Sequence, residues 1–157
     1  MNSHQIRFDA DLIRRYDRSG PRYTSYPTAV QFTDRFGLEE YRAAAAASNE
    51  DPIPRPLSLY VHIPVCSSPC FYCGCTKVIT RNHERAEAYL RRLYREIELQ
   101  CQLYDPDREV EQLHFGGGTP TFLTSREIDD LIGKFGQHFK MSGDPGREYS
   151  IELDPRT

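Results

Sequence analysis

Four of the five cysteines lie within ten residues, at Cys66, Cys70, Cys73 and Cys75. Thiolates spaced so closely can converge on one metal centre. Structural zinc is the common use of cysteine clusters, but zinc sites usually draw their ligands as two separated pairs, and no second Cys or His pair lies at a suitable distance. Cys73 and Cys75, one residue apart, reach one tetrahedral ion only with strain. The spacing Cys66-x3-Cys70-x2-Cys73 therefore favours three thiolates around an iron–sulfur cluster, with zinc as the alternative.

Three protein ligands leave the fourth iron of a 4Fe–4S cluster open. An open iron can bind a small molecule through nitrogen and oxygen and then pass it one electron. Four thiolates would instead close the cluster and leave it only electron transfer. The spacing thus indicates a catalytic cluster.

Two further segments are candidates for ligand binding. Gly116-Gly117-Gly118-Thr119-Pro120 is neither a P-loop nor G-x-G-x-x-G. It permits close backbone approach, with N–H groups free to bind a carboxylate or an amine, or it is simply a flexible turn. Glu152 shares one side of a predicted strand with Ser150 and Asp154. There it could accept hydrogen bonds from a ribose or an amino group, or be a solvated edge residue.

The elements that position these groups alternate along the chain after residue 56. Leu57–Ile63 alternates strictly, which predicts a strand with Ser58, Tyr60 and His62 on its polar face. The elements predicted after it are a helix within Ala86–Tyr104, a strand at Val110–Phe115, a helix that starts at a capping box of Thr124 and Glu127, and a strand at Glu148–Leu153. This order predicts an α/β fold of parallel strands joined by right-handed crossovers.

Residues 1–56 form a predicted separate domain, an N-terminal arm. Ser19–Thr28 has a proline near each end and β-forming residues between, which predicts an extended segment. Leu38–Ser48 is rich in alanine and predicts a short helix. The prolines of Asp51–Pro56 mark the boundary with the second domain, residues 57–157.

Three strands and two helices cover the faces of a parallel sheet poorly, and no helix follows the third strand to protect its edge. We therefore expect the chain to be the N-terminal part of a larger parallel α/β protein.

Composition excludes several classes. The net charge of −3 over 157 residues gives no electrostatic case for nucleic acid or an anionic membrane. No apolar run is long enough to span a bilayer, and the N-terminus has no secretory h-region. An odd number of cysteines argues against a disulfide framework and predicts a cytoplasmic protein.

The cysteine spacing resembles the CxxxCxxC signature of radical S-adenosylmethionine (SAM) enzymes, in which an aromatic residue such as Tyr72 commonly precedes the third cysteine. The resemblance implies that the cluster holds the methionyl amino and carboxylate groups of SAM and cleaves its sulfonium reductively to a 5′-deoxyadenosyl radical. It also implies that Cys66, Cys70 and Cys73 ligate the cluster, whereas Cys75 does not.

Five segments resemble more specifically the branch of this family that decarboxylates coproporphyrinogen III: Ser19–Thr28, Pro56–Pro64, Cys70–Cys75, Leu113–Thr121 and Ile151–Pro155. This resemblance implies a partial (β/α)6 barrel, of which the chain supplies the first two and a half units. The positions that it implies to contact SAM are Tyr60, Tyr72, Gly117, Gly118, Thr119 and Glu152. The arm, with Arg22 and Tyr23, would cover the active site.

The implied reaction converts two propionates of coproporphyrinogen III to vinyl groups and yields protoporphyrinogen IX. A flavodoxin-like or ferredoxin-like protein would donate the electron, and the full-length enzyme would be a monomer. We expect the chain alone to be inactive, because further SAM and substrate contacts of the family lie beyond Thr157.

Two alternatives stay open. A related haem chaperone shares the cluster motif, but it lacks the N-terminal arm and typically has Asp at the position of Cys75. A non-catalytic metal-binding module would need neither SAM nor substrate. Outside the motif, Cys101 is expected in the core, and His62 and His114 are expected to be hydrogen-bonded residues rather than metal ligands.

Overall fold

A computed structural model describes residues 8–17, 28–71 and 73–154. The chain divides into two compact units, Met1–Phe36 and Gly37–Thr157. The first unit contains helix α1 (Ala10–Tyr16), whose first turn is capped by the Asp9 carboxylate, and a 3-10 turn at Ala29–Gln31. The predicted extended segment Ser19–Thr28 lies almost entirely outside the described residues, as does Tyr72.

The second unit is built on a parallel sheet. Strand β1 (Leu57–Ile63) pairs with β4 (Glu109–Gly117), and β4 pairs along its later part with β6 (Glu148–Ile151). A two-residue strand, β5 (Lys140–Met141), pairs with the start of β4. The predicted α/β class with parallel strands is therefore confirmed for these elements.

Two amphipathic helices cover one face of this sheet. In α3 (Glu84–Gln100), buried residues recur at helical spacing, namely Ala86, Leu90, Leu93 and Ile97. In α4 (Ser125–His138), Leu131 and Phe135 are buried. These side chains pack in one core with the apolar face of the sheet, which includes Val61, Ile63, Leu113 and Phe115. The opposite face of the strands carries the polar side chains, and the candidate site lies on that face.

Helix α2 (Leu38–Asn49) also belongs to the second unit. The Tyr41 hydroxyl donates to Gln100 Oε1 at 2.5 Å, and Asn49 Nδ2 donates to the Leu103 carbonyl at 2.9 Å. Arg108 Nη1 donates to both Ser48 Oγ and Asn49 Oδ1 at 2.8 Å. The helix predicted within the arm thus packs on the sheet unit.

A second, two-stranded sheet frames the cysteine segment and was not predicted. Strand β2 (Val65–Cys66) pairs in parallel with β3 (Val78–Ile79). The Val78 N–H donates to the Pro64 carbonyl, and the Thr80 N–H donates to the Cys66 carbonyl. Both ends of the loop that carries Cys70, Cys73 and Cys75 are therefore fixed beside the end of β1.

All four residues of strand β6 are exposed, which agrees with the poorly covered edge predicted for the third strand. Among the described residues, no helix combines the length and apolar character needed to cross a membrane.

Candidate functional site

The polar face of the sheet carries three cross-strand rungs, and the candidate site lies at the carboxyl ends of the strands. The register places Gln112 between Ser58 and Glu148, and His114 between Tyr60 and Ser150. The third rung places His62 beside Gly116, with Glu152 directly after β6. Ligands of parallel sheets bind at this edge, which is where the predicted site residues lie.

His62 connects β1 to the cysteine loop. Its Nε2 lies 2.8 Å from the Thr76 carbonyl, which can only accept, so Nε2 carries a proton. Nδ1 then accepts from the Tyr60 hydroxyl at 3.0 Å. The expectation that His62 is hydrogen-bonded is confirmed, and its partner Thr76 could not be found from the sequence.

The missing side chains of the glycine turn allow His62, on the polar face, and Cys66, in the cysteine segment, to lie close to its backbone. Gly117 has φ +113°, and a Cβ there would lie 2.6 Å from the His62 ring. A Cβ at Gly118 would lie 2.8 Å from Cys66 Sγ and 2.9 Å from the Val65 carbonyl oxygen. Side chains at either position would therefore push this edge of the site apart.

The expectation of free N–H groups in this turn was wrong at three positions. The Gly117 N–H donates to Glu152 Oε2 at 3.2 Å, the Gly118 N–H to the Ile63 carbonyl at 2.8 Å, and the Thr119 N–H to the Val65 carbonyl at 2.9 Å. The Gly118 and Thr119 donors join the end of β4 to β1 and β2, and the Gly117 donor holds the carboxylate that follows β6.

The three predicted cluster ligands occupy different environments. Cys66 is buried at the end of β2, where Thr119 Oγ1 donates to its Sγ at 3.6 Å. Cys70 is exposed and Cys73 is half-buried, in a turn in which the Cys73 N–H donates to the Cys70 carbonyl. Within the ranges that the structure describes, no three Cys, His, Asp or Glu side chains gather around a point suited to a single metal ion.

Cys73 and Cys75 differ in how readily they lose a proton. A hydrogen bond with the Cys75 backbone lowers the pKa of the Cys73 thiol against a smaller desolvation effect, and Lys77 lowers it further. The pKa of the Cys75 thiol is raised by its hydrogen bond with Cys73 and by repulsion from that group. The two thiols thus influence each other's ionisation through their shared hydrogen bond.

The donor set fits an iron–sulfur cluster. Cys66, Cys70 and Cys73 are free thiols, the ligand type that such clusters take. The three ligands of a cube-shaped cluster bind three different iron atoms, so their sulfurs need not meet around one ion. Close packing of Cys66 against Gly118 and Thr119 places the first of these thiols beside the glycine turn.

The residues expected to contact SAM are brought together at this edge, except Tyr72, which lies outside the described residues. Around Gly116, an added Cβ would lie 3.0 Å from His114 Nε2, 3.1 Å from Tyr60 Cε2 and 3.2 Å from Glu152 Cδ. Tyr60 and Glu152 therefore converge above the same glycine, next to Gly117.

One contact near the site was not predicted. His83, which directly precedes α3, lies with Nε2 2.9 Å from both carboxylate oxygens of Glu127 in the first turn of α4, and it stacks on Phe122. The capping box identified Glu127, but its histidine partner lies 44 residues away in the sequence. No local pattern signals a contact over that separation.

No protein-family model matches the chain. Several bacterial proteins named oxygen-independent coproporphyrinogen III oxidase do. The Pseudomonas aeruginosa protein is 51% identical over 151 residues, which is 96% of this chain and 32% of that protein. The Escherichia coli protein is 46% identical over 99% of this chain and 33% of its own length. The chain thus spans about a third of the length of these two relatives.

A solved structure and a relative of similar length identify the fold and the family. A solved structure of the Escherichia coli coproporphyrinogen III oxidase, described as a radical SAM enzyme, superposes with a TM-score of 0.76 at 43% identity, over 97% of this chain and 32% of that one. The Mannheimia haemolytica protein of the same name is 46% identical, and the match covers 96% of this chain and 99% of that protein. The chain therefore belongs to the family of oxygen-independent coproporphyrinogen III oxidases.

Proposed function

We propose that this chain supplies the cofactor-binding part of an oxygen-independent coproporphyrinogen III oxidase. In this proposal, Cys66, Cys70 and Cys73 hold a 4Fe–4S cluster, and SAM binds at the adjacent strand ends. The proposal is carried by the position of Cys66, which lies against Gly118 and Thr119 at the carboxyl edge of parallel strands. The whole enzyme would convert two propionates of coproporphyrinogen III to vinyl groups.

The proposal gives each group at the carboxyl ends of the strands a role in binding SAM or the cluster. When bound, the cluster and SAM supply the one-electron chemistry that removes a hydrogen atom from a propionate side chain. The glycines of the turn leave space for the ligand, whose amine would bind their carbonyl oxygens. Glu152 and Tyr60 orient the remaining polar groups of SAM, and Tyr72 would add an aromatic contact.

The remaining parts of the proposal concern the surroundings of the site. A partial (β/α)6 barrel is the architecture expected around these strands, with the segment that includes Arg22 and Tyr23 covering the active site. A flavodoxin-like or ferredoxin-like protein would reduce the cluster. A cluster and five free thiols suit a reducing compartment, so we place the reaction in the cytoplasm.

Reconstitution with iron and sulfide under anaerobic conditions tests the proposed cluster. We expect low-temperature EPR of the reduced chain to show a 4Fe–4S signal that changes when SAM is added. Serine at position 66, 70 or 73 should abolish this signal, whereas Cys75→Ser and Cys101→Ser should retain it. A protein that takes up zinc only, or loss of the cluster in Cys75→Ser, would contradict the assignment of three ligands and an open iron.

A further inference from the structure

The middle rung of the polar face, Tyr60–His114–Ser150, lies one step before the glycine turn and has no role in the proposed ligand contacts beyond Tyr60. The rings of Tyr60 and His114 stack, with centroids 5.8 Å apart and planes inclined by 20°. On its other side, His114 Nδ1 lies 2.8 Å from Ser150 Oγ. His114 is therefore held from both neighbouring strands.

The free nitrogen of the same ring is directed at Glu152. His114 Nε2 lies 3.5 Å from Glu152 Oε1, while Glu152 Oε2 accepts from the Gly117 N–H at 3.2 Å. At 3.5 Å this contact is longer than a typical hydrogen bond, and a proton on Nε2 would make it attractive. With the proton on Nε2, the Ser150 hydroxyl can donate to Nδ1. The hydroxyl of Ser150 is therefore compatible with the tautomer that serves Glu152, and its contact with Nδ1 fixes the orientation of the ring.

Glu152 needs such support because its side chain is 55% exposed and rotates about three bonds. Fixing a long side chain costs conformational entropy, and a ligand that must fix it on binding loses affinity. A carboxylate held in advance between a backbone N–H and an imidazole avoids that loss.

We infer that His114, whose ring is oriented by Ser150, is a positioning residue that holds Glu152 and Tyr60 in place for SAM. The inference rests on the proposed function, because SAM is the ligand proposed for those two groups. Gly116 completes the arrangement, since a Cβ there would come within 3.0 Å of His114 Nε2.

Paired substitutions separate hydrogen bonding from stacking. The amide nitrogen of Gln can reach the position of His Nε2, whereas that of Asn reaches the position of Nδ1. In the reconstituted chain, we expect His114→Ala and His114→Asn to weaken SAM binding about tenfold, the usual effect of removing a group that orients a ligand-binding residue. His114→Gln should bind SAM nearly as well as the wild type, as measured by equilibrium dialysis with labelled SAM.

The matched control lies one rung earlier on the same face. Gln112 Nε2 donates to Glu148 Oε2 at 2.7 Å, an equivalent cross-strand pair farther from the turn. Glu148→Gln should leave SAM binding and iron content unchanged. If Glu152→Gln weakens SAM binding while His114→Ala does not, the inference is wrong and the proposed site stands. If Glu152→Gln has no effect, the proposed site and the inference both fail.

Amide hydrogen exchange tests the same arrangement without SAM. The Gly117 N–H is protected by Glu152, so His114→Ala should speed its exchange in the chain, and His114→Gln should restore the slow rate. An unchanged Gly117 exchange rate in His114→Ala would refute the inference even where the chain binds no SAM.

Discussion

At the scale of residues, the site depends on positions that carry no side chain. Gly117 and Gly118 bring two strand ends into contact with His62 and Cys66, and their N–H groups donate to the Glu152 carboxylate and to the Ile63 carbonyl. The glycine run could be recognised in the sequence, but its role could not. Whether a turn binds a ligand or a neighbouring strand depends on what packs against it.

Gly118→Ala should disturb Cys66 directly. The added Cβ would meet Cys66 Sγ at 2.8 Å and the Pro64 and Val65 backbone at 2.9 Å, and backbone atoms cannot rotate away. We expect a loss of about 1–3 kcal/mol in the free energy of unfolding, typical of overpacking, together with a reduced iron content after reconstitution. Chemical denaturation and iron analysis measure the two effects.

Gly133→Ala is the matched control for that substitution. Gly133 lies in the interior of α4, and a Cβ there meets no atom within 4 Å. Alanine at this helical position should stabilise the chain by about 0.5–1 kcal/mol and leave the iron content unchanged. Equal iron content in both variants would mean that the packing of Gly118 does not position Cys66.

At the scale of elements, periodicity predicted the long strands and helices well. Strand β1 has the predicted bounds, and α3 (Glu84–Gln100) covers most of the predicted range Ala86–Tyr104. Strands β2, β3 and β5 were missed because two residues give no periodicity, and α1 was missed within the arm. The site contacts missed, such as His62 with Thr76, depend on the path of the loop rather than on local sequence.

A contact between His83 and Glu127 joins the starts of α3 and α4. These two helices follow the cysteine loop and the glycine turn in the sequence. Burial raises the pKa of Glu127, but hydrogen bonds from the Thr124 backbone and hydroxyl and the contact with His83 outweigh it, so the net pKa is lowered. A carboxyl group with a lowered pKa stabilises the fold above its unfolded pKa of about 4.3. That contribution is lost as the pH falls through the folded value.

Glu127→Gln should therefore remove part of the acid sensitivity of the fold. At pH 7 we expect it to cost about 1 kcal/mol, the usual value of a helix cap, and this difference from the wild type should shrink below about pH 4. Urea titrations at several pH values measure it. Glu111→Gln, at an exposed position of β4, is the control and should show no such convergence. A pH-independent difference would exclude ionisation of Glu127 as the cause.

At the scale of the molecule, the sequence placed a domain boundary after residue 56, whereas the compact units divide between Phe36 and Gly37. The prolines at Asp51–Pro56 interrupt regular structure, as predicted, but they do not separate α2 from the sheet. Tyr41, Ser48 and Asn49 hydrogen-bond to the end of α3 and to the segment that leads into β4. These contacts lie more than 50 residues apart in the sequence, so no local signal reveals them.

Two truncated chains distinguish the boundaries. A chain of residues 37–157 keeps α2, with Ala45 in the buried core, and the hydrogen bonds that α2 makes. A chain of residues 57–157 loses α2 with its hydrogen bonds to Gln100, Leu103 and Arg108. At about 1 kcal/mol each, these bonds amount to a loss of about 2–4 kcal/mol.

Urea unfolding followed by far-ultraviolet circular dichroism measures the difference, since the chain has no tryptophan to report by fluorescence. Within the longer truncation, Tyr41→Phe is the matched variant, because it removes the hydroxyl that donates to Gln100 and keeps the ring. It should account for about 1 kcal/mol of the loss. Equal stability of the two truncated chains would mean that α2 adds nothing to the sheet unit and would support the boundary predicted after residue 56.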